Sequence, residues 1–156
     1  MPAYNFQQRF VVPILRGEKP HTIRGRRKHP TKVGDELQLY IGMRTKACKL
    51  FAKARCTFIQ PVVIYPWKGE LWMVHPEHDV LCPVENLDEL ARADGFEKTG
   101  DFFDFFKRYK RKYLDDFEII YWDPEALKAY LSPDVLGEGL LGKHSDFVIE
   151  DEVKHG

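Results

Sequence analysis

The feature that most constrains this chain is a central run of strand-like alternation. After the turn signal Val33-Gly34-Asp35, the residues Leu37, Leu39 and Ile41 alternate with Glu36, Gln38 and Tyr40. A period of two reads as a half-buried strand. Gly42-Met43-Arg44-Thr45 turns the chain again. Ala47 to Tyr65 favours strands, and Pro61, which has no N–H for a ladder, marks a break or an edge. Leu71 to Val74 is a further short strand, which predicts a hairpin across Lys68-Gly69-Glu70. Phe117 to Trp122 reads as the last strand.

Helices interrupt this succession. Phe6, Phe10, Val11, Ile14 and Leu15 recur at helical spacing, so 5–16 reads as a short helix, distorted by Pro13 and stopped by Gly17. Val84, Leu87, Leu90 and Ala91 predict a helix that Gly95 ends. Thr99 is placed to cap the next one. In it Phe102, Phe105, Phe106 and Tyr109 follow i, i+3, i+4, i+7 and predict a buried face. Lys107, Arg108, Lys110, Arg111 and Lys112 cover the rest, and Asp104 can pair with Arg108 at i, i+4. Asp123-Pro124 starts a short helix. Strands with two helices inserted before the last one predict an α+β fold, a small β-barrel with flanking helices.

The chain has 156 residues, which fits one domain over 1–123 and a C-terminal extension over 124–156. Hydrophobic residues at 44% and charged residues at 31% exclude a disordered chain. No apolar run approaches the roughly 20 residues of a membrane span, so no membrane partner is expected. Met1 to Arg16 lacks the apolar stretch of a secretory signal. Three cysteines, Cys48, Cys56 and Cys82, suit a reduced, cytoplasmic protein. Net charge is zero, yet residues 1–60 hold 13 Lys/Arg against 3 Asp/Glu, and residues 61–156 hold 11 against 21. A chain split in this way can present one basic face while staying neutral, or its halves can pair and cancel.

The most informative stretch for chemistry is Gly17-Glu18-Lys19-Pro20-His21-Thr22-Ile23-Arg24. Pro20 stiffens the backbone between Lys19 and Thr22. Lys19 can reach a phosphate or, if desolvated, act as a base, and Thr22 offers a hydroxyl for it to activate. Arg24 would lower the pKa of Lys19 by like-charge repulsion. The bland reading is a solvated Lys19 and a strand threonine.

Gly17, Lys19, Thr22, Ile23 and Arg24, followed by Gly34, Asp35, Leu37, Leu39 and Tyr40, resemble the opening of ASCH domains. Gly42-Met43-Arg44-Thr45, a strand holding Cys56, Ala93-Asp94-Gly95-Phe96 before an aromatic helix, and Ile119-Ile120-Tyr121-Trp122 add to the likeness, which covers roughly 5–122. The resemblance implies a PUA-like barrel related to domains that bind RNA or modified bases. Some bacterial members hydrolyse the amide of N4-acetylcytidine with a Lys, a Thr and an acidic residue, and others are linked to RNA cleavage. Those roles would fall on Lys19 as base, Thr22 as nucleophile and Asp94 as acid, with aspartate here where those members carry glutamate. Asp94 would orient Lys19 or protonate the leaving amine, and Arg24 or a backbone N–H would hold the oxyanion.

The partner expected first is RNA or a modified nucleoside, held in a basic cleft around Lys19, Thr22 and Arg24. Lys19, Arg24, Arg26, Arg27, Lys28 and Arg44 would contact phosphates, and Tyr40, Trp67 or Trp72 would stack on a base. Trp67, beside a turn, is the first choice, although most aromatics belong to a core. His75-x-x-His78-Asp79 with Cys82 supplies zinc-type ligand atoms at a spacing that matches no common zinc motif, so no metal is expected. There is no P-loop and no Gly-x-Gly-x-x-Gly, and no cofactor is expected.

Overall fold

A computed structural model describes residues 1–131. In chain order its elements are β1 (Ala3–Phe6), α1 (Val11–Leu15), β2 (His21–Gly25), β3 (Glu36–Ile41), β4 (Lys49–Tyr65), β5 (Glu70–Val74), β6 (Leu81–Pro83), α2 (Leu87–Ala93), α3 (Thr99–Lys107), β7 (Leu114–Trp122) and β8 (Lys128–Ala129). The mixed α+β class is therefore present. No described helix is long and apolar enough to cross a membrane. The chain divides into two compact units. Within the described residues, one comprises Met1–Pro20, Thr31–Thr57 and residues 122–131; the other comprises His21–Pro30 and Phe58–Tyr121.

In the first unit the strand path runs β1-β3-β4-β8. The alternation of 36–41 appears as expected, with Leu37 and Leu39 buried and Gly34 N–H bonded to Cys56 O at 2.8 Å where the β3–β4 ladder begins. Cys56 itself is buried and is not part of a disulfide. The stretch 5–16 departs from the expected single helix. Tyr4 and Phe6 point inward and Asn5 outward on a strand that pairs parallel to β3, and a short 3₁₀ turn at Gln8–Phe10 leads into α1. A parallel partner more than thirty residues away overrides the apparent helical spacing. Pro13 does not break α1, because it sits in the first turn, where backbone N–H groups lack helical acceptors anyway. Residues 124–131 pack onto this unit: β8 pairs with β4, and Tyr130 N–H bonds Phe51 O at 2.9 Å. The rest of the expected extension, 132–156, lies outside the described residues.

In the second unit the path runs β2-β7-β4-β5-β6. Neither path closes into a ring among the described residues. The expected hairpin joins β4 to β5, with Tyr65 opposite Glu70. Pro61 does not break β4. Lacking an N–H, it is served by its neighbour, since the Gln60 amide donates to both Pro61 O and Val74 O at 2.9 Å. Asn86 caps α2 by accepting from Glu89 N–H at 3.2 Å. Thr99 does not cap α3: its hydroxyl donates to the Asp88 carboxylate instead, and Lys98 is the cap residue. Phe102, Phe103 and Phe106 are the buried residues of α3, and Phe106 meets Phe117 edge-on at 6.0 Å. The helix stops at Lys107, and Lys110 is left-handed, so Tyr109 is exposed. Five cations in six positions oppose a further helical turn. Asp104 consequently pairs with Lys107 at 2.7 Å, while Arg108 lies over the Phe105 ring.

Candidate nucleic-acid and nucleoside site

The segment 13–24 is set by the end of α1. Gly17 N–H bonds Ile14 O and Glu18 N–H bonds Pro13 O, the paired bonds of a Schellman stop, and Gly17 takes the φ of +78° that this stop requires. The chain then leaves the helix at a fixed point. Lys19 follows, only 3% exposed, with its ammonium 5.1 Å from the Phe10 ring centroid, a cation–π distance. The solvated lysine of the bland reading is thereby excluded.

β2 then pairs antiparallel with β7, with His21 opposite Tyr121, Thr22 opposite Ile120, Ile23 opposite Ile119 and Arg24 opposite Glu118. Alternation along the strand sorts these side chains onto two faces. One face carries Thr22, Arg24 and Glu118. Arg24 Nε donates to Thr22 Oγ1 at 2.9 Å, which fixes the guanidinium and occupies the hydroxyl as an acceptor. Glu118 is buried, and burial pushes its carboxyl above the usual carboxylate range, with the Arg26 charge acting in the opposite sense.

The other face carries His21 and Tyr121, their rings 5.2 Å apart. Asp94, buried at the C-terminal end of α2, brings Oδ1 to 3.3 Å from His21 Nε2. The distance is that of an ion pair, but the approach is off-line for a hydrogen bond, and Nε2 is a buried nitrogen with no hydrogen bond. The contact is a close polar approach rather than a hydrogen bond. Burial, and after it the negative charge of Asp94, pushes the Tyr121 phenol above its usual value. Phe58, exposed, packs on Tyr121 at 6.0 Å.

Sequence reasoning missed His21, Tyr121 and Glu118 as site residues. His21 stands inside the segment singled out, but Asp94 is more than seventy residues away in sequence, and only the folded chain brings the end of α2 to β2.

The expected phosphate ligands Arg26, Arg27 and Lys28 are exposed on the loop leaving β2, anchored where Arg26 N–H bonds Asp116 O at 2.7 Å. Arg44 is exposed in the first unit, on the turn after β3. Tyr40, offered as a stacking residue, is instead 8% exposed in a core cluster with Leu50 and Tyr130. Packing from the 124–131 segment covers its ring. Trp67 is 65% exposed on the β4–β5 turn. Trp72 is half-buried, its Nε1–H donating to Glu70 at 3.2 Å. His75 and His78 stack at 4.7 Å, and among the described residues no three His, Cys, Asp or Glu side chains gather as metal ligands.

Comparison with family models, with curated proteins and with solved structures finds no match.

Proposed function

We propose that this chain is an RNA- or modified-nucleoside-binding protein of the ASCH type, with a PUA-like barrel as its architecture. The observation that carries the proposal is the run of cations that leaves β2. Arg24 is braced on Thr22, and Arg26, Arg27 and Lys28 follow it, exposed, on a loop tied to the start of β7. A braced guanidinium beside exposed cations suits phosphate oxygens, because the fork is already oriented when the ligand arrives. Lys19 is included on its position in the Gly17–Arg24 segment.

A second reading, hydrolysis of an acylated nucleoside such as N4-acetylcytidine, or of RNA, is favoured by one observation. Lys19 is buried, and desolvation is what makes a lysine available as a base. Binding stands first because Thr22 is engaged by Arg24, while Asp94 lies against His21 on the other face of β2.

Titration with short single-stranded RNA tests the binding proposal. Arg26→Ala with Arg27→Ala is expected to weaken binding at least about tenfold, and unchanged affinity would remove the loop from the site. Release of acetate from N4-acetylcytidine, abolished by Lys19→Ala and by Thr22→Ala, would instead establish the hydrolase.

A further inference from the structure

The second unit carries another surface in which cations and exposed aromatic rings are interleaved. The irregular segment after α3 reads Arg108-Tyr109-Lys110-Arg111-Lys112-Tyr113. Tyr113 is 47% exposed, and its ring lies 5.9 Å from that of Tyr65. Lys68 Nζ is 5.3 Å from the Tyr65 ring centroid, and Lys107 Nζ is 5.0 Å from that of Trp67. The turn bearing Trp67 and Lys68 thus meets the end of α3 and the segment that follows it. Gly69 in the same turn faces Phe103 of α3.

Two large rings stay exposed at the ends of this set, Trp67 and Tyr113, although each has apolar area that burial would favour. The carboxylates nearby are engaged: Asp104 pairs with Lys107, and Asp115 and Asp116 pair with Arg111. Lys68, Lys110 and Lys112 add exposed positive charge. A flat ring accepts any base, and ammonium groups around it accept the phosphates between bases.

We infer that Trp67 and Tyr113, with Lys68, Lys107, Lys110 and Lys112, form a platform for single-stranded nucleic acid, on which bases stack and between which the backbone runs. The inference rests on the nucleic-acid reading above and extends it to a surface apart from the Arg26–Lys28 loop in sequence and composed of different chemistry. A folded duplex would hide its base faces, so the unpaired strand is the occupant that the rings select.

The experiment is a titration of the full chain with a twelve-residue oligouridylate, read both by anisotropy and by tryptophan fluorescence. Of the three tryptophans, Trp122 is buried and Trp72 half-buried, so stacking should quench chiefly Trp67. The expected result is quenching that disappears in Trp67→Phe, an affinity at least about tenfold weaker in Trp67→Ala and in Tyr113→Ala, and a shallower salt dependence in Lys110→Ala/Lys112→Ala. All four positions are exposed, and circular dichroism checks that each variant keeps its fold. Binding that is lost in the Arg26/Arg27 variant but unchanged by Trp67→Ala and Tyr113→Ala would overturn the platform and leave the loop in place. Binding lost only in the aromatic variants would keep the platform and remove the loop. Equal competition by a polyglutamate of matched charge would overturn the stacking role, and no binding at low salt would overturn both.

Discussion

At the scale of single residues, Glu118 shows what the β2–β7 ladder costs. It is a carboxylate in a buried position, and the raised pKa means that the folded chain holds its proton more tightly than the unfolded chain does. Stability from this source is fully present below the ordinary value of 4.5 and is lost as pH rises through the folded value. Above the folded value the ionised side chain is therefore a burden, relieved in part by Arg26. Glu118→Gln should raise the urea midpoint at pH 7, and the gain should shrink as pH falls through the raised folded value and be gone below 4.5. A gain that persists unchanged at low pH would mean that charge burial is not its cause. The sequence gives no hint of this position, because its burial comes from neighbours of β2 and β7 rather than from its own surroundings in the chain.

At the scale of elements, the turns are the parts most directly written in the sequence. Gly17, Gly34 and Gly42 each stand where the chain reverses or stops, and each has a positive φ. Their environments differ, which separates two costs. A Cβ on Gly34 would meet nothing within 4 Å, so Gly34→Ala should cost only the left-handed conformation, about 1–2 kcal/mol. A Cβ on Gly42 would stand 2.8 Å from the Ala47 carbonyl oxygen, a backbone atom that cannot swing aside. Gly42→Ala should therefore cost more than Gly34→Ala in parallel urea unfolding, and equal losses would show that the loop around Ala47 yields. What was legible at this scale was local: the alternation of β3, the β4–β5 turn, the helix α2 ahead of Gly95 and the glycine stop after α1. What was not legible depended on partners distant in sequence. β1 needed β3, the burial of Tyr40 needed Tyr130, and the contact of Asp94 with His21 needed the end of α2 to meet β2. The early end of α3 needed the charge repulsion along 107–112 to outweigh its aromatic spacing.

At the scale of the whole molecule, the question is whether an overall charge of zero conceals a working basic face. If the acidic and basic halves simply cancelled, binding to a polyanion would be weak and nearly indifferent to salt. If Arg24, Arg26, Arg27 and Lys28 meet about four phosphates of a single strand, log K should fall with log salt at a slope of about −2.8, because each contact contributes about −0.7. Between 50 and 200 mM salt that slope weakens RNA binding by about 50-fold. A neutral modified nucleoside held by the same residues would lose almost nothing over that range, since it releases no counterions. The two ligands of the proposal are thus separated by one titration series, measured at several salt concentrations on the unaltered chain. A steep slope assigns the cations to a phosphate backbone. A flat slope with retained affinity assigns the site to a single uncharged base, for which the braced Arg24 would serve as a hydrogen-bond donor rather than as a counter-ion.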